Sequence, residues 1–581
     1  LEDVGNSAEG EFLLEADELE HFVRIRDWAG KTTDGSLSDL SWEPTGNLWE
    51  KICSDKDSCL GIRCPDYQRC FFFSARRIAS ESDLLVVNHH LLFTDLALRA
   101  AMDEFSQTAI MPAYRAAILD EAHNLEEIAS SHFGFRTTAL GVQRILSRLY
   151  RRRGRRELGI LPSLVVRLAM GSEGVTGELK ETIQLEIRDK CLPAITEAEY
   201  VRQQLFDRIA ELTAKPGSRE GEHKLRLKEN IRSSDEFQQL QLVSENFDSA
   251  MQKVSRLVAR VHRRLSESVE NATETPDYLR MPLVELGGFP SRISKIREAL
   301  QMIFARELSD ASASFVHFFT ANVRGRNRWA GFQSAPLAVA KAMVEHCFRP
   351  LESVILVSAT LSTQKNFSFI RSRIGLTTET WQKPVTEGRF PSPFDYSKQA
   401  CLFVPTDLPE PSWQEFIEST IQPVYEICKI SGGGTLVLCT SYRHLQALHE
   451  GLQDRFSEIG IECLKQGDME RVHLLERFRQ DGNAVLLATE SFWEGVDVPG
   501  DALRNLVIAK LPFMTPDEPI WQARQEELEA LGKNPFRELQ LPIAALKLKQ
   551  GFGRLIRHRQ DRGNIWILDK RLITKHYGSF F

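Results

Sequence analysis

At 581 residues the chain exceeds the ~250–300 residues at which a single hydrophobic core stops growing, and a prior of ~150 residues per domain points to three or four domains. Its 42% hydrophobic and 26% charged residues are ordinary for a globular protein, and no apolar run approaches the ~18 residues that a membrane-spanning helix needs. A net charge of −7 excludes any case for nucleic-acid binding from overall electrostatics; such a case would need a local basic surface.

The first residues, Leu1 to Glu20, are acidic, begin without Met and carry no signal peptide. They read as a cut in a longer chain, through an incomplete gene model or a trim. Next comes Gly30-Lys31-Thr32, which matches the tail of a phosphate-cradling Gly-x-x-x-x-Gly-Lys-[Ser/Thr] loop. Ile25 stands where the first Gly is required, and no buried strand precedes it, so the match is rejected.

Ten cysteines follow an uneven distribution. Cys191, Cys347, Cys401, Cys428, Cys439 and Cys463 are scattered, several in apolar runs where cysteine acts as a small hydrophobe. The other four fall within eighteen residues as Cys53-x5-Cys59-x4-Cys64-x5-Cys70. In a large chain without a signal peptide such clustering points to a metal or cluster before disulfides. The spacing departs from the paired C-x2–4-C of zinc sites, whereas four-thiolate ligation of a [4Fe–4S] cluster tolerates varied spacing. A zinc site or free thiols stay open as alternatives.

Short apolar runs, each followed by polar residues, come at Leu84–Val87 before Asn88, Ala116–Leu119 before Asp120 and Val354–Val357 before Ser358. Others are Thr435–Cys439, Val485–Ala488, Leu506–Lys510 and Asn564–Leu568. Being rich in Val, Ile and Leu without alternation, they predict strands buried on both faces of parallel sheets. Ligands bind outside the carboxyl ends of such strands, where these polar residues lie. From about Leu125 to Pro350 helical spacing dominates instead, with Ile293, Ile296, Leu300, Ile303 and Phe304 on one helix face. Lys215 to Asn230 reads as an exposed loop, and the basic run Arg151–Arg156 as either a solvated loop or an element that tracks phosphates. The expected fold class is α/β: residues 1–127 are the first α/β domain with the cysteine segment 53–70, and 128–350 a mostly helical insertion. Residues 351–363 return to the first domain, and 364–581 form the second.

Two segments carry chemistry. Ala116-Ala117-Ile118-Leu119-Asp120-Glu121-Ala122-His123 is an apolar strand ending in a carboxylate pair. P-loop ATPases present their Mg²⁺-holding Asp and water-polarising Glu in this way, although a bare Asp-Glu pair is more often a surface turn. Gln550-Gly551-Phe552-Gly553-Arg554-Leu555-Ile556-Arg557 places two arginines three residues apart, on one face if helical. Its glycines would allow close approach to a ligand, and guanidinium groups suit the charge on a transferring phosphoryl group. An ordinary basic helix face would not need Gln-x-x-Gly ahead of the first Arg.

With Ser358-Ala359-Thr360-Leu361 and Glu490–Asp497, these segments resemble helicase motifs II, III, V and VI in the right order. Phe492-Trp493-Glu494-Gly495-Val496-Asp497, Val87-Asn88-His89-His90 and Ser392-Pro393-Phe394-Asp395 narrow the resemblance to the DinG/YoaA branch of iron–sulfur superfamily 2 DNA helicases, related to XPD. It runs from about Trp28 to Gly578.

The resemblance implies two RecA-like P-loop motor domains, an iron–sulfur segment and an arch insertion, which the 238 residues from Asp120 to Ser358 accommodate. It implies ATP and Mg²⁺ at Asp120, Glu121 and His123 on one side and Gln550, Arg554 and Arg557 on the other. Glu494, Gly495, Asp497 and Gly553 would also line the nucleotide. Ser358 and Thr360 would couple that site to strand movement, although Ser-Ala-Thr alone is often a helix cap; Asn88, His89 and His90 read as structural. Cys59, Cys64 and Cys70 would hold a [4Fe–4S] cluster together with a cysteine upstream of Leu1, leaving Cys53 a bystander unless it substitutes. The phosphate loop would also lie upstream, so one truncation explains both absences, and the end at Tyr577–Phe581 comes slightly early for the family. The implied activity is ATP-dependent, 5′→3′ unwinding of duplex DNA in repair or replication, with single-stranded and forked DNA as partners, in a bacterial-type cytoplasm at the nucleoid, with no membrane. A rival is an ATP-independent, single-strand-binding relative that lost its phosphate loop.

Overall fold

The computed structural model describes residues 16–581 apart from 37–39, 41, 43, 45–47, 54–58, 60, 65, 103–104, 106, 172–173, 215–220, 270–274, 306–313, 323–327, 413–414, 490–491, 494–497, 499 and 516. Two compact units emerge: Leu1–Tyr114 with Ser130–Leu337, and Arg115–Ala129 with Ala338–Phe581.

In the first unit three long helices, Leu192–Thr213, Asp235–Val269 and Asp277–Phe304, pack together. Ile293, Ile296, Leu300, Ile303 and Phe304 are all buried on the last of these, as their spacing predicts. Against the helices lies an antiparallel sheet that the sequence did not announce. It joins β2 (Phe135–Thr138), β5 (Glu222–Arg226), β6 (Phe315–Asn322) and β7 (Trp329–Pro336) in the order β2-β7-β6-β5. Phe319 and Phe332 of β6 and β7 are fully buried and belong to the same core as the helices. The expected loop at Lys215–Asn230 is corrected by this sheet: β5 pairs along its whole length with β6, because backbone pairing does not require an apolar sequence. Arg151–Arg156 is likewise part of a two-stranded hairpin, β3 (Arg151–Arg153) and β4 (Arg156–Leu158), and not a loop.

One buried ionic node organises the segment after the helix His89–Met102. Arg99 and Asp95 pair at 2.6 Å with side chains 1% and 0% exposed. Arg99 also donates to the carbonyls of Phe105, Gln107, Met111 and Pro112. Asp95 accepts from the backbone N–H groups of Ile110 and Met111 and from the Tyr114 hydroxyl. Every charge in the node is hydrogen-bonded, the condition under which burying an ion pair is tolerated.

The second unit contains a six-stranded, all-parallel sheet. Its order is β11 (Cys463–Lys465), β12 (Val485–Ala488), β10 (Thr435–Leu438), β13 (Asn505–Ile508), β14 (Gly563–Ile567) and β9 (Ala400–Phe403). β10, β12 and β13 are buried at every residue, as unalternating apolar runs predict. A second parallel pair joins β1 (Ala116–Leu119) to β8 (Ser353–Leu356), in register from Ala116↔Ser353 to Leu119↔Leu356. Parallel sheets in both motor regions agree with the α/β expectation.

Two strand expectations need correction. Ile118 of β1 and Ile355 of β8 are 66% and 53% exposed, so this pair is not covered on both faces. Leu84–Val87 lies in no strand, and Leu84 and Val86 are exposed. An apolar run becomes a strand only where another strand supplies its hydrogen bonds, and no described strand lies beside this one.

Candidate active site

The carboxylate pair sits at the carboxyl end of β1. Glu121 takes the left-handed conformation, φ 47° and ψ 43°, which is unusual for a residue with a side chain. The turn lets Ala122 N–H reach the Val357 carbonyl at 3.0 Å, tying the end of β1 to the end of β8. Asp120 Oδ1 accepts from Glu121 N–H at 2.9 Å, and the Glu121 side chain is 58% exposed. Strain of this kind is stored where a side chain must be aimed.

From Glu121 a hydrogen-bonded chain runs through three separated segments. Ser358 Oγ donates to Glu121 Oε2 at 3.3 Å. Ser358 Oγ in turn lies 2.8 Å from His123 Nδ1 and accepts from Thr360 N–H at 3.0 Å. On the other side of the imidazole, the Gln550 side-chain amide donates to His123 Nε2, and it reaches Thr360 Oγ1 at 3.4 Å. The imidazole therefore bridges Ser358 on one side and Gln550 on the other. Asp120, Glu121, His123, Ser358, Thr360 and Gln550 are thus brought together.

Arg554 and Arg557 are near this network but not as predicted. The helix Leu541–Phe552 ends before them, so they do not share a helix face. Two glycines in three residues lower helix propensity at that point. Arg554 Nε instead donates to the Trp493 carbonyl at 2.8 Å, and the Arg557 and His558 N–H groups both donate to Asp561 Oδ2. Gly551 serves packing rather than a ligand: a Cβ there would stand 3.2 Å from the Trp493 ring. Gly553 follows as the helix C-cap. Glu494, Gly495 and Asp497 lie outside the described residues.

Sequence reasoning missed two supports of this site. Glu126, three residues after His123, accepts from Arg373 Nε at 2.8 Å and pairs with Arg524 at 2.7 Å. Burial pulls the Arg524 guanidinium down to about 10, with Glu126 opposing the shift. Gln399, four residues after Asp395, donates to the carbonyls of His558, Arg559 and Asp561 and so holds the turn that follows Arg557. Neither carries a motif, since an isolated Glu or Gln has no local signature of its distant partners.

Gly30-Lys31-Thr32 follows the C-terminal end of the helix Ala16–Ala29, with Lys31 and Thr32 N–H bonded to the Trp28 carbonyl. A phosphate loop needs a helix N-terminus, where N–H groups point outward.

Residues 424–581 match the helicase C-terminal domain family. Over 568 residues the chain is 31% identical to the ATP-dependent DNA helicase YoaA of Escherichia coli K12, covering 97% of this chain and 76% of that protein. The chain belongs to the YoaA/DinG helicase family. It is also 26% identical to the ATP-dependent DNA helicase DinG of Photobacterium profundum, over 93% of this chain and 73% of the relative. A solved XPD helicase aligns at 13% identity and TM-score 0.41, over 80% of this chain and 66% of that one. Family membership agrees with the motif order read from the sequence.

A YoaA/DinG helicase is expected to hold an iron–sulfur cluster, and the cysteines fit it in chemistry but not in placement. Cys53 and Cys59 are exposed, and Cys64 and Cys70 half-buried. By contrast, burial pushes the Cys347, Cys428 and Cys439 thiols up to about 12, which marks them as inert core residues. Yet among the described residues no three His, Cys, Asp or Glu side chains gather as metal ligands, and Cys59 Sγ accepts a backbone bond from Gly61. No helix among the described residues is long and apolar enough to cross a membrane.

Proposed function

We propose that this chain is most of the motor of an ATP-dependent DNA helicase that binds single-stranded and forked DNA and unwinds duplex DNA with 5′→3′ polarity, in repair or replication at the bacterial nucleoid. The observation that carries the reading is the continuous chain Glu121–Ser358–His123–Gln550, which joins the Asp-Glu-Ala-His, Ser-Ala-Thr and Gln-x-x-Gly-Arg segments. In this reading Asp120 holds Mg²⁺ and Glu121 polarises the water that attacks the γ-phosphate of ATP. Ser358 occupies Oε2 of Glu121, leaving Oε1 to take the water's proton. Gln550, Arg554 and Arg557 face the developing phosphate charge, and Glu494, Gly495, Asp497 and Gly553 line the nucleotide. His123 and Thr360 pass the state of Glu121 to the second motor sheet through Gln550, which assigns coupling to Ser358 and Thr360. The domain boundaries follow the motifs: 1–127 with 351–363, the insertion 128–350, and 364–581.

Cys59, Cys64 and Cys70, with Cys53 or a cysteine supplied from outside these residues, are assigned to a [4Fe–4S] cluster on their thiolate chemistry. One sequence observation favours a second reading, an ATP-independent single-strand-binding protein: these 581 residues contain no Gly-x-x-x-x-Gly-Lys-[Ser/Thr]. ATP turnover with and without oligonucleotide separates the two. The 581-residue chain is expected to hydrolyse little or no ATP, and a version extended by a family-type phosphate loop to gain DNA-stimulated hydrolysis. Failure of the extended protein to turn over ATP sinks the motor reading.

A further inference from the structure

Between the helix Leu541–Phe552 and β14 the chain carries Arg554 and Arg557 through residues 553–562, which form neither helix nor strand. Without a regular hydrogen-bond ladder such a segment samples many backbone states, and an arginine head group inherits that spread. Two side chains remove the freedom. The first is Asp561, whose Oδ2 accepts from the N–H groups of Arg557 and His558 at 2.8 and 2.7 Å. The Asp561 N–H in turn donates to the His558 carbonyl at 3.2 Å, which closes the turn on itself.

The second is Gln399, which is 6% exposed and stands directly ahead of β9. Its Nε2 lies 3.1, 3.3 and 3.0 Å from the carbonyl oxygens of His558, Arg559 and Asp561. An amide nitrogen carries two hydrogens, so one of them is shared between two carbonyls. Three carbonyl oxygens aimed at one point repel one another unless a donor stands there, and this amide is that donor. Beside it Arg562 Nη1 donates to the Lys398 carbonyl at 3.0 Å, and β9 runs along β14 from Ala400↔Gly563. The turn is thus held from its inner side by Asp561 and from the neighbouring strand by Gln399.

The Ser392-Pro393-Phe394-Asp395 motif aims Gln399. Gln399 Oε1 accepts from the Asp395 N–H at 3.0 Å, which turns Nε2 toward the carbonyls. Phe394 packs against the core of the second sheet, and its N–H donates to Ser392 Oγ at 3.3 Å. Motif, amide and arginine turn form one connected unit, although Gln399 and His558 are 159 residues apart in sequence.

We propose that Gln399, with Asp561, is a positioning residue that sets Arg557 for phosphoryl transfer. The choice of reaction rests on the helicase reading above; the clamp itself rests on the hydrogen bonds. Gln399→Met keeps the length of the side chain and removes its donor. In the 581-residue chain, hydrogen exchange should run about tenfold faster at the Arg557 and His558 amides, as the loss of roughly one net hydrogen bond gives, with β10 and β13 unchanged. In the phosphate-loop-extended protein, single-turnover ATP hydrolysis should fall about 10- to 100-fold while ATP affinity stays within about twofold, because misplacing a group that acts on the transition state costs rate and not binding. In an Arg557→Ala background Gln399→Met should cause no further loss, since its effect runs through Arg557. A purely structural glutamine would add its own loss to that of Arg557→Ala. Asp561→Asn, which keeps shape and an acceptor oxygen but loses the charge, should show the same pattern in smaller measure, and it decides the matter if Gln399→Met does not fold. Unchanged exchange at Arg557 and His558, unchanged hydrolysis, or full additivity with Arg557→Ala overturns the proposal and leaves the helicase reading intact. An extended parent protein that hydrolyses no ATP overturns both.

Discussion

Glu121 is aimed by its own backbone: the left-handed turn after β1 costs of order 1 kcal/mol or more for a non-glycine residue. What repays that strain is a carboxylate held by Ser358 and backed by His123. In a protein carrying a phosphate loop, Glu121→Gln should keep ATP binding and cut hydrolysis by orders of magnitude, because shape survives while the proton acceptor is lost. Nucleotide binding and single-turnover hydrolysis check this; hydrolysis within a few-fold of the parent would remove Glu121 from the catalytic role. The cysteines are argued at the same scale. If Cys59, Cys64 and Cys70 are ligands and an upstream cysteine completes the set, Cys64→Ser should abolish the broad brown absorbance and the bound iron. Cys53→Ser should leave both unchanged, since serine oxygen replaces a soft thiolate poorly only where a ligand is lost. Iron loss in Cys53→Ser would make Cys53 the fourth ligand.

At the scale of elements, periodicity and burial patterns were readable where one element makes its own contacts. The helix Asp277–Phe304 and the strands β10, β12 and β13 follow their spacing. The β6–β7 pair and the turn holding Arg554 and Arg557 do not, because each depends on residues far away in sequence. The helix Tyr442–Glu458 carries a further consequence of packing. His444 is 2% exposed, its Nε2 lies 2.8 Å from the Thr420 hydroxyl, and burial first, with Lys510 adding to it, pulls its pKa down to about 4. A histidine depressed in the folded state is neutral there and protonated when unfolded below its ordinary value. Its stability is therefore fully present above about pH 6.5 and is lost as pH falls toward 4. Lowering the pH from 7 to 5 should cost about 2 kcal/mol through this residue alone. Denaturant unfolding of the parent and of His444→Gln at the two pH values checks it: the variant should lose about 2 kcal/mol less than the parent on acidification, and equal losses would free His444 of the effect.

For the second unit as a whole, Glu126 links the helix that follows the carboxylate pair to the helices Ser368–Ile374 and Pro519–Ala530 through Arg373 and Arg524. Removing one member of a buried ionic group leaves the others uncompensated, which costs about 3–5 kcal/mol. Glu126→Ala should lower unfolding stability by about that amount, whereas Glu126→Ala/Arg524→Met should recover a substantial part. Denaturant titrations of both variants decide this, and equal stability of the single and double variants would show that Arg524 is not stabilised by Glu126.

The sequence by itself determined the candidate residues and the family: Asp120 and Glu121 at the end of an apolar strand, Ser358 and Thr360, Gln550, and the motif order that the family shares. Those features are local, since a strand, its terminal polar residues and a short motif lie within a few positions of one another. Only the tertiary structure decided which of them touch. It joined His123 to both Ser358 and Gln550, placed Glu126 between two arginines, closed Gln399 over the turn after Arg557, and set Arg153 opposite Arg156 in a hairpin. Each of those contacts joins residues that chain order alone does not pair, and their energy comes from burial and shared hydrogen bonds, which exist only once distant segments have packed.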